Sequence, residues 1–264
     1  MIDFHNHILP NIDDGSKSLD MSLRMLTKAA EQGITDVINT VHYQHPKVET
    51  EDISYKRIKM ELKNLQEELN THSIPVKLHC GAEVFFLPNL LKIKDDPLAT
   101  FTHGKYMLIE FQSHQLPYIH KQELFNLKMS GVTPVIAHPE RYKAVVEDTS
   151  IVTNWLEAGC IIQVDAGSTL GYLGLGAQKA SERIIKNGWC HILGSDSHND
   201  RGRNFCLRES VELVRSWIGD EVDFLVNNNP EAIIKGKMID IDFEYEPEKN
   251  SNFFSRIIDR IDLT

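Results

Sequence analysis

A chain of 264 residues with 41% hydrophobic and 25% charged side chains can form one large α/β domain or at most two small ones. Its net charge of −10 argues against general nucleic-acid binding, yet a small phosphorylated substrate stays open, because local arginines and metals can reverse the field in a cleft. No apolar run approaches the ~20 residues of a membrane span, and Met1-Ile2-Asp3-Phe4-His5 has no leader-like pattern, so no membrane insertion and a cytoplasmic location are expected.

Short apolar runs rich in β-formers predict strands at Ile2–His5, Asp36–Val41, Val76–Ala82, Tyr106–Phe111, Thr133–Ala137, Ile161–Val164 and His191–Gly194. Between the first two, Leu19, Leu23, Leu26 and Ala30 mark a helical face, with Ser18 as N-cap and Gly33 as stop. Ile58, Leu62, Leu65 and Leu69 repeat that spacing before Ile74-Pro75. Lys121–Ser130, Ile151–Ala158 and Gln178–Lys186 predict further helices. Seven strands alternating with helices imply parallel βαβ units, in a barrel or a doubly wound open sheet. No linker divides residues 1–238. Residues 239–264 differ: Asp240, Asp242, Glu244, Glu246 and Glu248 form an acidic connector, and Phe254, Ile257, Ile258 and Ile261 have the spacing of an amphipathic helix. That helix either packs on its own barrel or serves docking or homo-oligomerisation.

The 12 histidines are the unusual feature. Metal-type side chains recur where the predicted strands end, which is where parallel α/β folds build their sites. His5 and His7 close the first strand, and Asp14 follows in Asp13-Asp14-Gly15. His42, Glu83, Glu110 and His138 end the next four; Asp196 and His198 end the seventh. Any one has a bland explanation as a capping or solvated residue; nine in register with successive strand ends do not. Imidazole and carboxylate without thiolate suit Mn, Fe or Zn. Three divalent ions would outweigh the four carboxylates by two charges, a better trap for an anion than two ions, which would only balance them.

These segments, His5-Asn6-His7, Asp13-Asp14-Gly15, His42, Glu83, Glu110, His138-Pro139-Glu140-Arg141 and Asp196-Ser197-His198-Asn199, together resemble the polymerase and histidinol phosphatase (PHP) superfamily. The nearer likeness is to its bacterial branch of capsule- and exopolysaccharide-associated manganese-dependent protein-tyrosine phosphatases, and it covers roughly residues 1–238. The resemblance implies a distorted seven-stranded (β/α)7 TIM-like barrel with three metal ions, Mn²⁺ first and Fe or Zn as alternatives. The nine residues above become the ligands; Arg141 and Arg203 become the phosphate-binding arginines, with Arg201 as the alternative to Arg203. A phosphotyrosine protein, a bacterial tyrosine kinase of polysaccharide export, is the implied partner. A hydroxide held between the ions would attack phosphorus in line. A small-molecule phosphatase such as one for histidinol phosphate, a metal-dependent amidohydrolase and a non-catalytic metal-bound module are the rival readings.

Outside those segments, His45 and His114 read as exposed loop histidines, with contact to substrate as the alternative. Asp165 reads as either a carboxylate that orients a metal ligand or a turn residue. A cysteine-based phosphatase is excluded, because His79-Cys80 is not followed by an arginine at position 86, which is Phe86. Cys80, Cys160, Cys190 and Cys206 show no disulfide or zinc-knuckle spacing.

Overall fold

The computed structural model describes residues 1–48 and 52–239, so the acidic connector and the expected C-terminal helix lie outside the described residues. Seven parallel strands form one sheet in chain order: β1 (Ile2–Asn6), β2 (Asp36–Tyr43), β3 (Lys77–Phe85), β4 (Tyr106–Glu110), β5 (Thr133–Ala137), β6 (Ile161–Asp165) and β7 (Ile192–Gly194). A doubly wound sheet would reverse its strand order at a switch point; this order never reverses. The sheet instead curls until its ends meet. Asn6 and Ser197 form a single parallel bridge, the His7 amide donates to the Ser197 carbonyl at 2.8 Å, and the Asp196 amide donates to the His5 carbonyl at 2.7 Å. The expected barrel is therefore the arrangement found.

Helices α1 (Leu19–Glu31), α2 (Tyr55–Thr71), α3 (Leu90–Ile93), α4 (His120–Met129), α5 (Lys143–Glu147), α6 (Ile151–Glu157), α7 (Ala166–Thr169), α8 (Leu175–Lys186), α9 (Leu207–Ile218) and α10 (Asn229–Ile234) complete the described residues, with short 3-10 and π turns. Ser18 caps α1 by accepting from the Met21 amide, and Gly33 takes the left-handed φ of +80° that ends it. The buried face of α1 is not the expected one. Ser22, Met25, Leu26 and Ala29 are buried, while Leu19 is 38% exposed. The Ser22 hydroxyl, which donates to the Ile8 carbonyl at 2.6 Å, rotates the helix toward the loop after β1. The α2 face is as expected, with Ile58, Leu62, Leu65 and Leu69 all buried.

Phe4, Ile38, Leu108, Val135, Ile161 and Ile192, one from each of six strands, meet in a single apolar cluster with Ile233 and Ile239. The neighbouring strand residues Val37, Met107, Ile109, Ile136, Ile162 and Leu193 pack instead with the helices in the larger apolar cluster, so the alternate set is the barrel's interior packing. The polar residues gather at the opposite end, above the carboxyl ends of the strands.

Candidate metal centre

All nine expected metal-type residues converge at that carboxyl end. The barrel brings them there by strand length and by one irregularity. A register shift in β1 between Asp3 and Asn6 lets Phe4 join the interior cluster while the adjacent His5 also turns inward. His7 lies one residue past β1, so the first loop residue presents it, not strand alternation. His42 and Glu83 lie inside β2 and β3, each of which runs beyond the predicted end.

Glu83 stands in the middle. Its Oε2 lies 3.3 Å from His5 Nε2, 3.3 Å from His7 Nε2 and 3.1 Å from His42 Nδ1, and its Oε1 lies 2.9 Å from His138 Nε2. Asp196 Oδ1 is 3.5 Å from His5 Nε2, 3.3 Å from His7 Nε2 and 3.4 Å from His198 Nδ1. Asp14 Oδ1 is 3.1 Å from His42 Nε2 and 3.4 Å from His198 Nε2. Glu110 Oε1 is 3.8 Å from His138 Nε2. Donor atoms at such separations can share an ion about 2.1 Å from each. They form overlapping groups: His7, Asp14, His42 and His198; His5, His7 and Asp196; His5, Glu83 and His138; and His42, His45 and Glu110.

Two features show that divalent ions fit. His5 Nε2, His7 Nε2, both ring nitrogens of His42, Glu110 Oε2 and Asp196 Oδ1 are buried without a hydrogen-bond partner, although buried polar atoms are normally satisfied. The protein groups alone are also electrostatically unbalanced. Burial and the neighbouring Glu83 charge push Glu110 up to about 7. Burial and His7 would lower His42, yet Asp14 and Glu83 raise it to about 9. Carboxylates that draw protons onto imidazoles are carboxylates in want of cations.

Contacts behind these residues fix their orientation. The Asp13 carboxylate pairs with His7 Nδ1 at 2.8 Å, and it accepts the His42 amide at 3.2 Å and the Gly15 amide at 2.9 Å. Gln163 Oε1 meets His5 Nδ1 at 3.0 Å. Such partners leave Nε2 of both histidines turned to the centre. The Tyr142 hydroxyl donates to the Ala137 carbonyl at 2.7 Å and accepts the Phe111 amide at 3.0 Å, joining the segments that carry His138 and Glu110. Trp155 of α6, fully buried, stacks on Phe111 at 5.9 Å and supports that junction. His138 and Asp196 adopt left-handed φ of +31° and +44°, a strain held by surrounding structure and concentrated at this site. Gly15 is needed for close approach: a Cβ there would lie 2.2 Å from the His7 carbonyl oxygen.

The two expected arginines meet on one oxygen. Arg141 NH1 and Arg203 NH2 both donate to Asp196 Oδ2, the latter at 2.5 Å. Arg141 also lies 3.5 Å from Asp165. Arg201 is exposed and outside this arrangement. The loop register is set by the His198 and Asn199 amides, which both donate to the Arg203 carbonyl at 2.8 and 3.1 Å. Asp165 fills the expected turn role, capping α7 by accepting the Gly167 amide at 2.7 Å, and its charge faces Arg141 instead of orienting one of the nine metal-type residues. His114 is exposed as expected. His45 is not: it is only 13% exposed and stacks on His42 at 4.4 Å. Asp13, as the partner of His7, and Gln163 were missed as well. An Asp-Asp-Gly turn beside a histidine pair carried a signal for the first, but nothing local marked Gln163.

Residues 1–235 match the family of capsular polysaccharide synthesis proteins CpsB/CapC. The chain belongs to that family. CapC of Staphylococcus aureus is 32% identical over 210 residues, 79% of this chain and 81% of its own. The Bacillus subtilis tyrosine-protein phosphatase YwqE is 29% identical over 242 residues, 90% of this chain and 93% of its own. Crystal structures of YwqE from Bacillus subtilis and CpsB from Streptococcus pneumoniae, described as metal-dependent tyrosine phosphatases, include a chain that superposes with a TM-score of 0.85 at 29% identity, covering 91% of this chain and 96% of that one.

Proposed function

We propose that this CpsB/CapC-family protein is a metal-dependent protein-tyrosine phosphatase. Its substrate is a phosphotyrosine protein of capsular polysaccharide synthesis, with a bacterial tyrosine kinase as the partner. The observation that carries the reading is the convergence of Arg141 and Arg203 on Asp196 beside the interlocked imidazole and carboxylate groups. Three Mn²⁺ ions are the cofactor in this reading, held by His5, His7, Asp14, His42, Glu83, Glu110, His138, Asp196 and His198. No helix among the described residues is long and apolar enough to cross a membrane; a cytoplasmic location belongs to this reading.

When bound, the ions supply a water of lowered pKa and Lewis-acid polarisation of the phosphoryl oxygens. The chain's own residues do the rest. Asp196 anchors both guanidinium groups, leaving their remaining N–H groups to grip equatorial phosphoryl oxygens. Asp165 braces Arg141 from behind. Glu83, with contacts to four histidines, ties the groups into one rigid unit. A tyrosine phenolate, with a parent pKa near ~10, departs with little proton assistance.

The test of the substrate is competition between classes. A phosphotyrosine peptide should be hydrolysed with a kcat/KM well above that for histidinol phosphate. The reverse preference would replace the protein substrate with a small alkyl phosphate.

A further inference from the structure

The loop after β2 is built to return a side chain to the metal groups. Gln44 adopts a left-handed φ of +58°, and its side-chain amide pairs with that of Asn89 at 2.6 and 3.4 Å. The Tyr43 hydroxyl donates to Asp96 at 2.8 Å. Past the turn, the Val48 amide donates to the His45 carbonyl at 2.9 Å. The turn is thus pinned on both sides of His45, whose ring folds back over the site. It lies 26° from parallel to His42 at 4.4 Å, and it meets the Phe85 ring edge-on at 4.8 Å. Its Nε2 is 3.6 Å from Glu110 Oε2.

The grouping of donor atoms gives this placement meaning. Three of the four groups account for eight of the nine expected ligands, and the ninth, Glu110, enters only the group that His42 and His45 complete. Glu110 Oε2 and His42 Nδ1 are buried and lack hydrogen-bond partners. We propose that His45 is a tenth metal ligand, contributing Nε2 to a divalent Mn, Fe or Zn ion that it shares with Glu110 and, in the tautomer that offers Nδ1 in place of Nε2, with His42. The proposal rests on the metal-dependent reading above but not on the phosphatase step. Two imidazoles and one carboxylate suit those borderline cations. His45 and Glu110 are 13% and 16% exposed, so this ion lies near solvent, as does the group that holds Asp14, itself 34% exposed.

The experiment uses the full chain as wild type, His45→Ala and His45→Cys, stripped with chelator and dialysed against graded free Mn²⁺. His45→Ala should bind one ion fewer per chain, or bind its weakest ion about 10-fold or more less tightly. Its metal-free melting temperature should match wild type. His45→Cys should shift preference from Mn²⁺ to the thiophilic Cd²⁺ and show a thiolate–metal absorption band absent from wild type, a readout that survives if the alanine variant fails to fold. A His45→Ala isotherm superimposable on wild type, or a cysteine variant with no gain in Cd²⁺ preference, would overturn the assignment. Wild type that binds the ions and hydrolyses no phosphate ester would overturn the phosphatase reading alone.

Discussion

Asp13 touches no expected substrate position, yet the structure makes its carboxylate hard to replace even by the isosteric amide. One oxygen faces His7 Nδ1 at 2.8 Å and the His42 amide at 3.2 Å; the other accepts the Gly15 amide at 2.9 Å. In Asp13→Asn the single amide oxygen serves one side, and the NH₂ group faces N–H donors on the other. Each buried donor so orphaned costs about 1–3 kcal/mol. If the NH₂ group turns to His7, it donates to Nδ1 and forces the ring proton onto Nε2, the atom 3.3 Å from both Glu83 and Asp196. That nitrogen then cannot ligate. Manganese affinity should fall about 10- to 100-fold, or roughly 1.4–2.7 kcal/mol. The carboxylate also supports the metal-free fold. Burial would raise it, but His7 and His42 override that and hold Asp13 down at about 2. A carboxylate with a depressed folded pKa stabilises above its ordinary value near 3.8 and loses that contribution as pH falls through 2. Urea unfolding of metal-free protein should therefore show the variant less stable at pH 7 and nearly equal to wild type at pH 2. Calorimetry giving wild-type Mn²⁺ affinity, with unchanged stability at pH 7, would refute the reasoning and reduce Asp13 to a turn residue.

Arg141→Ala and Arg203→Ala should each lower kcat/KM for an aryl phosphate by about 10²–10³, whereas Arg201→Ala should stay within about 2-fold of wild type; steady-state kinetics of the three variants decides between the two loop arginines. Gly15→Ala places a methyl 2.2 Å from the His7 carbonyl oxygen and 2.4 Å from its Cβ, so it should cost at least about 1–3 kcal/mol in urea unfolding and weaken metal binding with it. Glu140 is fully buried, and burial and the adjacent Asp165 charge push it up to about 8. A raised carboxylate favours the fold below its ordinary pKa near 4.5, and that contribution is lost as pH rises through 8. Glu140→Gln should therefore raise the melting temperature of metal-free protein at pH 8.5 far more than at pH 5; an equal shift at both would disprove the buried-charge argument.

The strands were legible because each is a short apolar run between turn residues, and β5 matches its predicted bounds to the residue. Their metal-type side chains were legible for the same reason: a site at the carboxyl end of a parallel barrel places its residues at predictable points in the sequence. What stayed hidden depends on contacts between distant segments. His45 looked like a solvated loop residue, since nothing near it in sequence shows that Asn89 pins the turn before it. Gln163 lies in the middle of an apolar strand and gains its role only when β6 faces His5. The α1 face shifted because a serine found a carbonyl across the loop, an attraction that apolar periodicity does not register. Helix α9, absent from the sequence reading, buries Leu207, Val211 and Val214, a stripe easily passed over between a basic loop and an exposed helix end.

In the proposed function this cluster is a metal-dependent phosphoesterase centre. It is tested most directly by hydrolysis of p-nitrophenyl phosphate with chelator-stripped protein, before and after addition of Mn²⁺, with bound metal counted in the same samples. Turnover that is absent when stripped, returns with Mn²⁺ and saturates at three ions per chain is the result predicted. Equal turnover with and without metal, or full metal loading with no turnover of aryl or alkyl phosphates, would contradict it.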